Sequence, residues 1–311
     1  MLKTLTTAAA AVALLAGAAS AQSIGVAWMG KSGSVVDASA GLEKRLSEIA
    51  PEIEIEYRRD LADEAALSKA VEELSSRHDA LGVWRSNGSK WLSQNQTTLP
   101  TFIAAGNHPP SLGSVRNMDA PEGNVTGVSI YLDPVVALET FAAIAPAMTR
   151  VAVITQLGHP GSAIDAEGLK QACDALFLEC GFHQVEDSAG LAELAGAVDA
   201  DSFVIGNQAS LANDKAEVAK FIEAAGDRPV FTLYRKLVDD GALAAMAVSN
   251  YKLGYMLGDK IVAVLKQDAA IKDVPVSLDP EPTLILNMET LQRLGLDVPR
   301  QMLEAAEQVG S

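Results

Sequence analysis

The chain has 311 residues, which is enough for two domains of ordinary size. It carries 40 acidic and 24 basic residues, for a formal net charge of −16 at pH 7. This charge argues against nucleic acid and anionic membrane surfaces as partners, because both repel an acidic protein. The acidic residues are spread along predicted helix surfaces, so we attribute them to solubility.

The first 21 residues have the pattern of a signal peptide. Lys3 gives a positive start, residues 8–18 form an apolar run, and residues 19–21 (Ala-Ser-Ala) match an A-x-A cleavage site. The apolar run is too short and too rich in alanine to favour a spanning helix. We predict cleavage after Ala21 and a periplasmic protein that begins at Gln22. An uncleaved N-terminal anchor is the alternative.

In the first half of the mature chain, strand patterns alternate with helical patterns. A strand over 23–28 is followed by a helix over 35–49, a strand over 54–57, a helix over 63–77, and strands over 80–84 and 100–105. Polar segments follow the third and fourth strands, at 85–88 and 106–109.

The same alternation starts again after Gly123-Asn124. Strands are predicted at 125–130, 151–155, 182–185, 203–205, 229–233 and 241–248. Helices are predicted between them at 134–145, 163–176, 189–198 and 211–224. A long helix with one apolar stripe follows from about Asn250. The tail is predicted as a strand over 283–286 and helices over 289–294 and 300–308.

This alternation predicts parallel sheets with helices on both faces. The units are too many for one sheet, so the expected fold class is α/β, with two doubly wound parallel-sheet lobes joined by a multi-segment hinge. The N-terminal lobe should hold 22–125 plus 249–276, and the C-terminal lobe 126–248 plus 277–311. Ligands of such sheets bind at the carboxyl ends of the strands, so we expect the site in a cleft between the lobes.

Two cysteines, Cys173 and Cys180, leave two possibilities open. Export permits a disulfide, which would join the end of the predicted helix over 163–176 to the next strand. If both residues were helical, they would lie about 10 Å apart and could not be bridged. The sequence has no CxxC motif and no His/Cys cluster with zinc spacing, so we expect no metal.

Polar and aromatic side chains stand at the ends of several strands. Arg85 and Arg235 each follow an apolar strand directly, one in each lobe, and an arginine fork suits a carboxylate or phosphate. We predict that one or both hold an anionic or strongly hydrogen-bonding group; the alternative is that both turn outward to surface acids. The other candidate ligand-binding residues are Trp84, Ser86, Asn87, His108, Tyr131, Asn207, Gln208, Tyr234 and Ser249. Each aromatic ring among them forms either a wall of the pocket or the edge of a core.

Catalytic motifs are missing from the sequence. There is no G-x-S-x-G, and the four histidines are scattered. Residues 25–32 match G-x-x-x-x-G-K-[ST], but the first glycine lies inside the predicted first strand, whereas a phosphate loop needs a strand before it. We therefore expect no catalytic residue and no cofactor.

Several short motifs resemble those of one known family. Residues 121–129 (Pro-Glu-Gly-Asn-Val-Thr-Gly-Val-Ser) are similar to its PGGNVTG-x-S. Residues 228–231 and 240–244 resemble its IPVF and AGALA, and 283–287 with 294–296 resemble its closing LVIN and LGL. The family is that of the ABC transporter substrate-binding proteins, including tryptophan- and tyrosine-type binders. The resemblance implies the type I periplasmic-binding-protein fold, a small-molecule ligand and an ABC permease as partner.

The sequence departs from this family where the ligand is expected. Leu233, Tyr234 and Arg235 stand where the family often has Ser-Asp-Glu, and Ser249 where its amino-acid binders place an acid. These departures argue against a standard amino acid, because an α-ammonium group needs a carboxylate or carbonyl cage. The expected function is that of a monomeric periplasmic solute-binding protein of an ABC importer, for a small polar or anionic, aromatic or amino-acid-like ligand. The alternatives are an extracytoplasmic sensor for a membrane receptor and a periplasmic enzyme.

Overall fold

The computed structural model describes residues 22–310 and contains two separate sheets. The predicted signal peptide lies outside the described residues. The first sheet has five parallel strands in the order β2-β1-β3-β4-β5. Their bounds are β1 Ser23–Met29, β2 Glu54–Leu61, β3 Ala80–Val83, β4 Thr101–Ile103 and β5 Val125–Gly127.

Four helices pack against this first sheet. They are α1 Gly33–Ile49, α2 Glu64–Ser75, α3 Arg85–Leu92 and, from much later in the chain, α10 Asn250–Lys266. A short helix, α4 Pro109–Leu112, contacts α3. Helices α1 and α10 cross in close contact because glycines face the partner helix. A Cβ on Gly254 would lie 2.0 Å from the carbonyl oxygen of Ala38. The apolar stripe of α10, which includes Leu253 and Leu257, thereby enters the core of the first lobe.

The second sheet has seven strands in the order β12-β11-β10-β9-β8-β6-β7. Their bounds are β6 Arg150–Gln156, β7 Glu179–Val185, β8 Ser202–Ile205, β9 Val230–Thr232, β10 Ala244–Ala247, β11 Thr283–Asn287 and β12 Glu307–Val309. All neighbouring strands are parallel except β10 and β11.

Helices cover both faces of the second sheet and bury a core on each. They are α5 Pro134–Ile144, α6 Pro160–Ala175, α7 Leu191–Ala197, α8 Lys215–Ala225, α9 Lys236–Asp239, α11 Met288–Leu294 and α12 Arg300–Ala305. On one face Phe141 stacks on Phe231 with ring centroids 4.6 Å apart. On the other Phe203 meets Phe221 edge-on at 5.5 Å.

The chain passes between the two sheets after β5, after β10 and before β11. The first and third passages lie side by side, because Val128 and Ser277 form an isolated β-bridge. The second is tied to the third by a hydrogen bond from the Ser249 amide to Asp279 Oδ2, at 2.8 Å. Strand β5 continues to Gly127, so the first sheet extends two residues past the predicted boundary at 125/126.

The two doubly wound lobes are confirmed, but two local predictions were wrong. The polar segment at 85–88 does follow the third strand, and it begins helix α3. Strand β11 is antiparallel to β10, so the second sheet is not entirely parallel. Residues 307–309 form an edge strand where a helix to 308 was predicted, because the free edge of β11 offers them backbone partners.

Cys173 and Cys180 form a disulfide, with their Cα atoms 6.3 Å apart. The bridge is possible because α6 ends at Ala175 and Cys180 already belongs to β7. Of the two possibilities that the sequence left open, the structure therefore has the bridged one. Within residues 22–310, no helix combines the length and apolar character that a membrane crossing requires.

Candidate functional site

The strand ends of the two sheets face each other across a cleft. From the first lobe come Ser32 after β1, Arg85 after β3 and Ala105 after β4. From the second come His159 after β6 and the segments that follow β8 and β9, with the cleft residues Asn207, Ala209 and Tyr234. Such carboxyl ends are where doubly wound sheets bind ligands, so this cleft is the candidate site.

Arg85 points into this cleft from the first lobe. Within residues 22–310 its guanidinium makes one hydrogen bond, from Nη1 to the carbonyl oxygen of Met29. Burial lowers the pKa of Arg85 from its usual value, but an arginine in this environment stays charged. Its backbone has φ +72°, the left-handed region that non-glycine residues rarely adopt. The fork therefore keeps donors for a ligand and is held by a strained turn, a feature found often at binding sites.

Tyr234 and His159 approach from the second lobe. The Tyr234 hydroxyl faces the turn at Ser32 and Ser34, where helix α1 begins. His159 caps α6, since its Nδ1 accepts the Gly161 amide at 3.0 Å. Burial, together with the positive charge of Arg85, lowers the pKa of His159 to about 4. At neutral pH the site therefore has one cation, Arg85, beside a neutral imidazole.

A buried carboxylate, Asp165 on helix α6, also lies between the lobes. Its Oδ1 accepts the side-chain amide of Asn107, from the first lobe, at 2.7 Å. Its Oδ2 accepts the Asn207 amide at 2.9 Å and the Gln208 side chain at 2.5 Å. Burial raises the pKa of Asp165.

A larger cavity of about 540 Å³ adjoins the cleft near the second and third passages. Ser34, Asn207 and Tyr234 line both spaces and therefore lie at their common boundary. Its volume lies within the range of small-molecule pockets. Acidic and basic groups line it together: Asp37, Asp239, Glu307, Arg235 and Lys236.

Arg235 lines this cavity but is already paired. Its guanidinium donates to both carboxylate oxygens of Glu307, at 2.6 and 2.5 Å, and lies 3.9 Å from Asp239. Pairing with an acid is the alternative that the sequence left open; Arg235 has such a partner while still lining the cavity, and Arg85 forms no such ion pair within residues 22–310. Ser249 also lines the cavity, and its hydroxyl caps α10 by accepting the Lys252 amide at 3.2 Å.

The structure places Trp84 in the core and not at the cleft. The residue is fully buried, and its ring stacks on Trp28 with centroids 5.7 Å apart. We therefore leave Trp84 out of the proposed site.

The remaining predicted residues are divided between the cleft and its flank. Ser86 lines the cleft and accepts the Asn107 amide at 3.0 Å, and Asn87 lies in the first turn of α3. His108 and Tyr131 pack against each other with ring centroids 4.5 Å apart. Both line a separate groove along α6, so the structure does not bring them to Arg85.

Sequence reasoning missed Asp165, Asn107 and the turn at Ser32–Ser34 as cleft residues. The turn directly follows β1, so the same strand-end rule that selected Arg85 could have found it. Asn107 follows β4 in the same way. Asp165 gave no such signal, because it lies inside a helix, more than one turn from its start.

Two α/β lobes with a polar cleft between their strand ends define the type I periplasmic-binding-protein fold. The ABC transporter substrate binding protein family matches residues 23–310, and the chain belongs to that family. The family binds solutes and is not a family of enzymes.

Individual relatives are more distant. A tyrosine-binding protein of Clostridioides difficile (strain R20291) is 24% identical over 207 residues, 64% of this chain. The alignment spans 57% of that relative's length. Among solved structures, an ABC domain in complex with L-Trp from Streptococcus pneumoniae superposes with a TM-score of 0.83 at 22% identity, covering 93% of this chain and all of that one. A ligand-free, open substrate-binding protein with adhesive properties from Clostridium difficile gives 0.76 at 19% identity, covering 93% and 99%.

Proposed function

We propose that this protein is the periplasmic solute-binding component of an ABC importer and acts as a monomer. Its two lobes close on a small polar solute in the cleft. The observation that carries the proposal is the convergence of Arg85 from one lobe with His159, Asn207 and Tyr234 from the other. A solute that bridges them favours the closed form, which is how two-lobed binders couple binding to hinge motion.

The solute that fits best carries an anionic or strongly hydrogen-bonding group, held by the free donors of Arg85. Asn207 and Tyr234 complete the polar contacts, with the Tyr234 ring as a wall. Aromatic amino acids are the first candidates to test, because relatives bind tyrosine or L-Trp by their names. The strand ends lack an acid for an ammonium group, but Asp37, Asp239 and Glu307 line the adjoining cavity.

Mass spectrometry of the protein purified from its periplasm tests this proposal. Denaturation should release one small anionic or zwitterionic solute, which rebinds to the refolded protein with 1:1 stoichiometry by calorimetry. N-terminal sequencing of the same material should give Gln22. Absence of any bound solute, together with no calorimetric response to an amino-acid panel, would argue against the ligand class. A protein that binds the solute but fails to stimulate its reconstituted permease would instead be a sensor.

A further inference from the structure

We propose that Asn107 and Asp165 form a latch that stabilises the closed arrangement of the two lobes. The inference rests on the lobe closure proposed above. The two residues come from opposite lobes, and a direct hydrogen bond of 2.7 Å joins their side chains. Each residue retains 5% of its surface exposed, so the bond is shielded from water.

Asn107 is fixed by its own lobe before it reaches the other. Its amide donates to Ser86 Oγ at 3.0 Å, and its Oδ1 accepts the His108 amide at 2.8 Å. The Ser129 hydroxyl lies 3.3 Å from its carbonyl oxygen. These contacts use the backbone and one side-chain oxygen and leave Nδ2 aimed across the cleft.

Asp165 is fixed on the opposite side in the same manner. Its Oδ2 accepts two donors from its own lobe, Asn207 N and Gln208 Nε2. Gln208 is itself oriented by the Gln156 amide, which donates to Oε1 at 3.2 Å. The remaining oxygen, Oδ1, receives its hydrogen bond from Asn107, so closure completes the carboxylate's set of partners.

The buried surroundings of the Asn107–Asp165 hydrogen bond make its loss energetically costly. Among residues 22–310, Asp165 forms no ion pair with a basic side chain. The space next to it is about 10 Å³ and is lined by Ile130, Leu132, Leu233, Met246 and Val248 besides the amides. That volume is at the lower limit for one water molecule, so water is a poor substitute for the asparagine. A buried carboxylate that loses a donor costs far more than an exposed one.

Several titratable groups near the latch would change charge in a pH test, and their effects on lobe closure oppose each other. Tyr131 is the titratable neighbour that senses the Asp165 charge, and Arg85 and His159 stand at the adjoining part of the cleft. Burial raises the pKa of Asp165 and lowers that of His159, so acid would favour closure through the first and opening through the second. The latch is therefore tested by substitution at one fixed pH.

The experiment measures lobe separation in solute-free protein, refolded from denaturant at pH 7.5. Spin labels are placed at Val36→Cys on α1 and Val136→Cys on α5, which are exposed and lie on opposite lobes. Residues 22–310 contain no free cysteine that would take a label. Pulsed dipolar spectroscopy then gives the ratio of open to closed molecules.

Asn107→Ala should raise the open-to-closed ratio by roughly 10- to 150-fold, which is the usual effect of losing a hydrogen bond to a charged group. Asn107→Asp should open the protein at least as far, because two carboxylates would then face each other. It keeps the acceptor for the His108 amide, so it serves the same test if the alanine variant does not fold. Asn117→Ala, an exposed asparagine of the same lobe whose Oδ1 accepts the Asp119 amide, should leave the ratio unchanged.

Equal distance distributions in the parent and both Asn107 variants would overturn the latch, as would a parent protein that is wholly open without solute. Because no sample contains solute, a negative result for the latch leaves the proposed import function untouched. Conversely, the latch could be demonstrated even if no physiological solute were found.

Discussion

Replacing Arg85 by glycine should weaken solute binding while leaving the fold nearly as stable. The left-handed backbone at Arg85, with φ +72°, costs a non-glycine residue about 1 kcal/mol, which glycine relieves. The substitution also removes the hydrogen bond to the Met29 carbonyl, a loss of about 0.5–1.5 kcal/mol. The two effects oppose each other, so the free energy of unfolding should change by less than about 1 kcal/mol.

The effect on binding should be much larger. Charge-assisted hydrogen bonds from Arg85 to an anionic group contribute about 1.5–3 kcal/mol, so Kd should rise roughly 10- to 150-fold by calorimetry. Arg235→Ala is the matched control, because that guanidinium is already paired with Glu307, and its Kd should stay within about twofold. The reasoning is refuted if Arg85→Gly binds as tightly as the parent, or if Arg235→Ala loses as much affinity.

Three further predictions concern stability and pH. Cys173→Ser removes the disulfide to Cys180, which has a sequence separation of 7, and should lower the free energy of unfolding by about 2–3 kcal/mol in denaturant titrations. An unfolding free energy that stays the same when the disulfide of the parent protein is reduced would contradict this. Gly254→Ala should lower the free energy of unfolding by about 1–3 kcal/mol or more, because the new Cβ would lie 2.0 Å from a carbonyl oxygen of α1. Gly196→Ala, in open space on α7, should raise the free energy of unfolding by about 0.5–1 kcal/mol. Equal effects of the two substitutions would be inconsistent with the α1–α10 packing. Burial in the closed cleft holds the pKa of His159 at about 4, so the open form takes up a proton first as pH falls below the usual value of 6.5. The His159 contribution should therefore lower affinity by roughly 10-fold or more between pH 7 and pH 5, whereas Asp165, whose pKa burial raises, acts in the opposite direction. His159→Asn should remove the His159 part of the dependence; an unaltered profile would exclude His159 from the closing surface.

Much of the architecture could be predicted because alternation of strands and helices is a local signal. The strand-end rule likewise identified Arg85, Ser86, Asn207 and Tyr234, which line the cleft. It could not tell which way a side chain turns at a strand end. Trp84 and Arg85 are neighbours in sequence, yet one is stacked in the core and the other points into the cleft.

Other features depend on contacts between distant segments. The pairing of Arg235 with Glu307 requires β12, a strand that exists because the edge of β11 is free to pair. Asp165 lies on a helix and enters the cleft only because α6 packs its N-terminal part against the opposite lobe. Its spacing from Ser162 and Leu169 places Asp165 on the buried stripe of α6, but this periodicity does not show that the buried partner comes from the opposite lobe.

A crystal structure of the protein with its co-purified solute tests the central claim most directly. We expect a solute enclosed between the lobes, with an anionic or polar group within hydrogen-bond distance of the Arg85 guanidinium and a further contact to Tyr234 or Asn207. A solute bound outside the cleft, or one that contacts a single lobe and leaves Arg85 free, would contradict it.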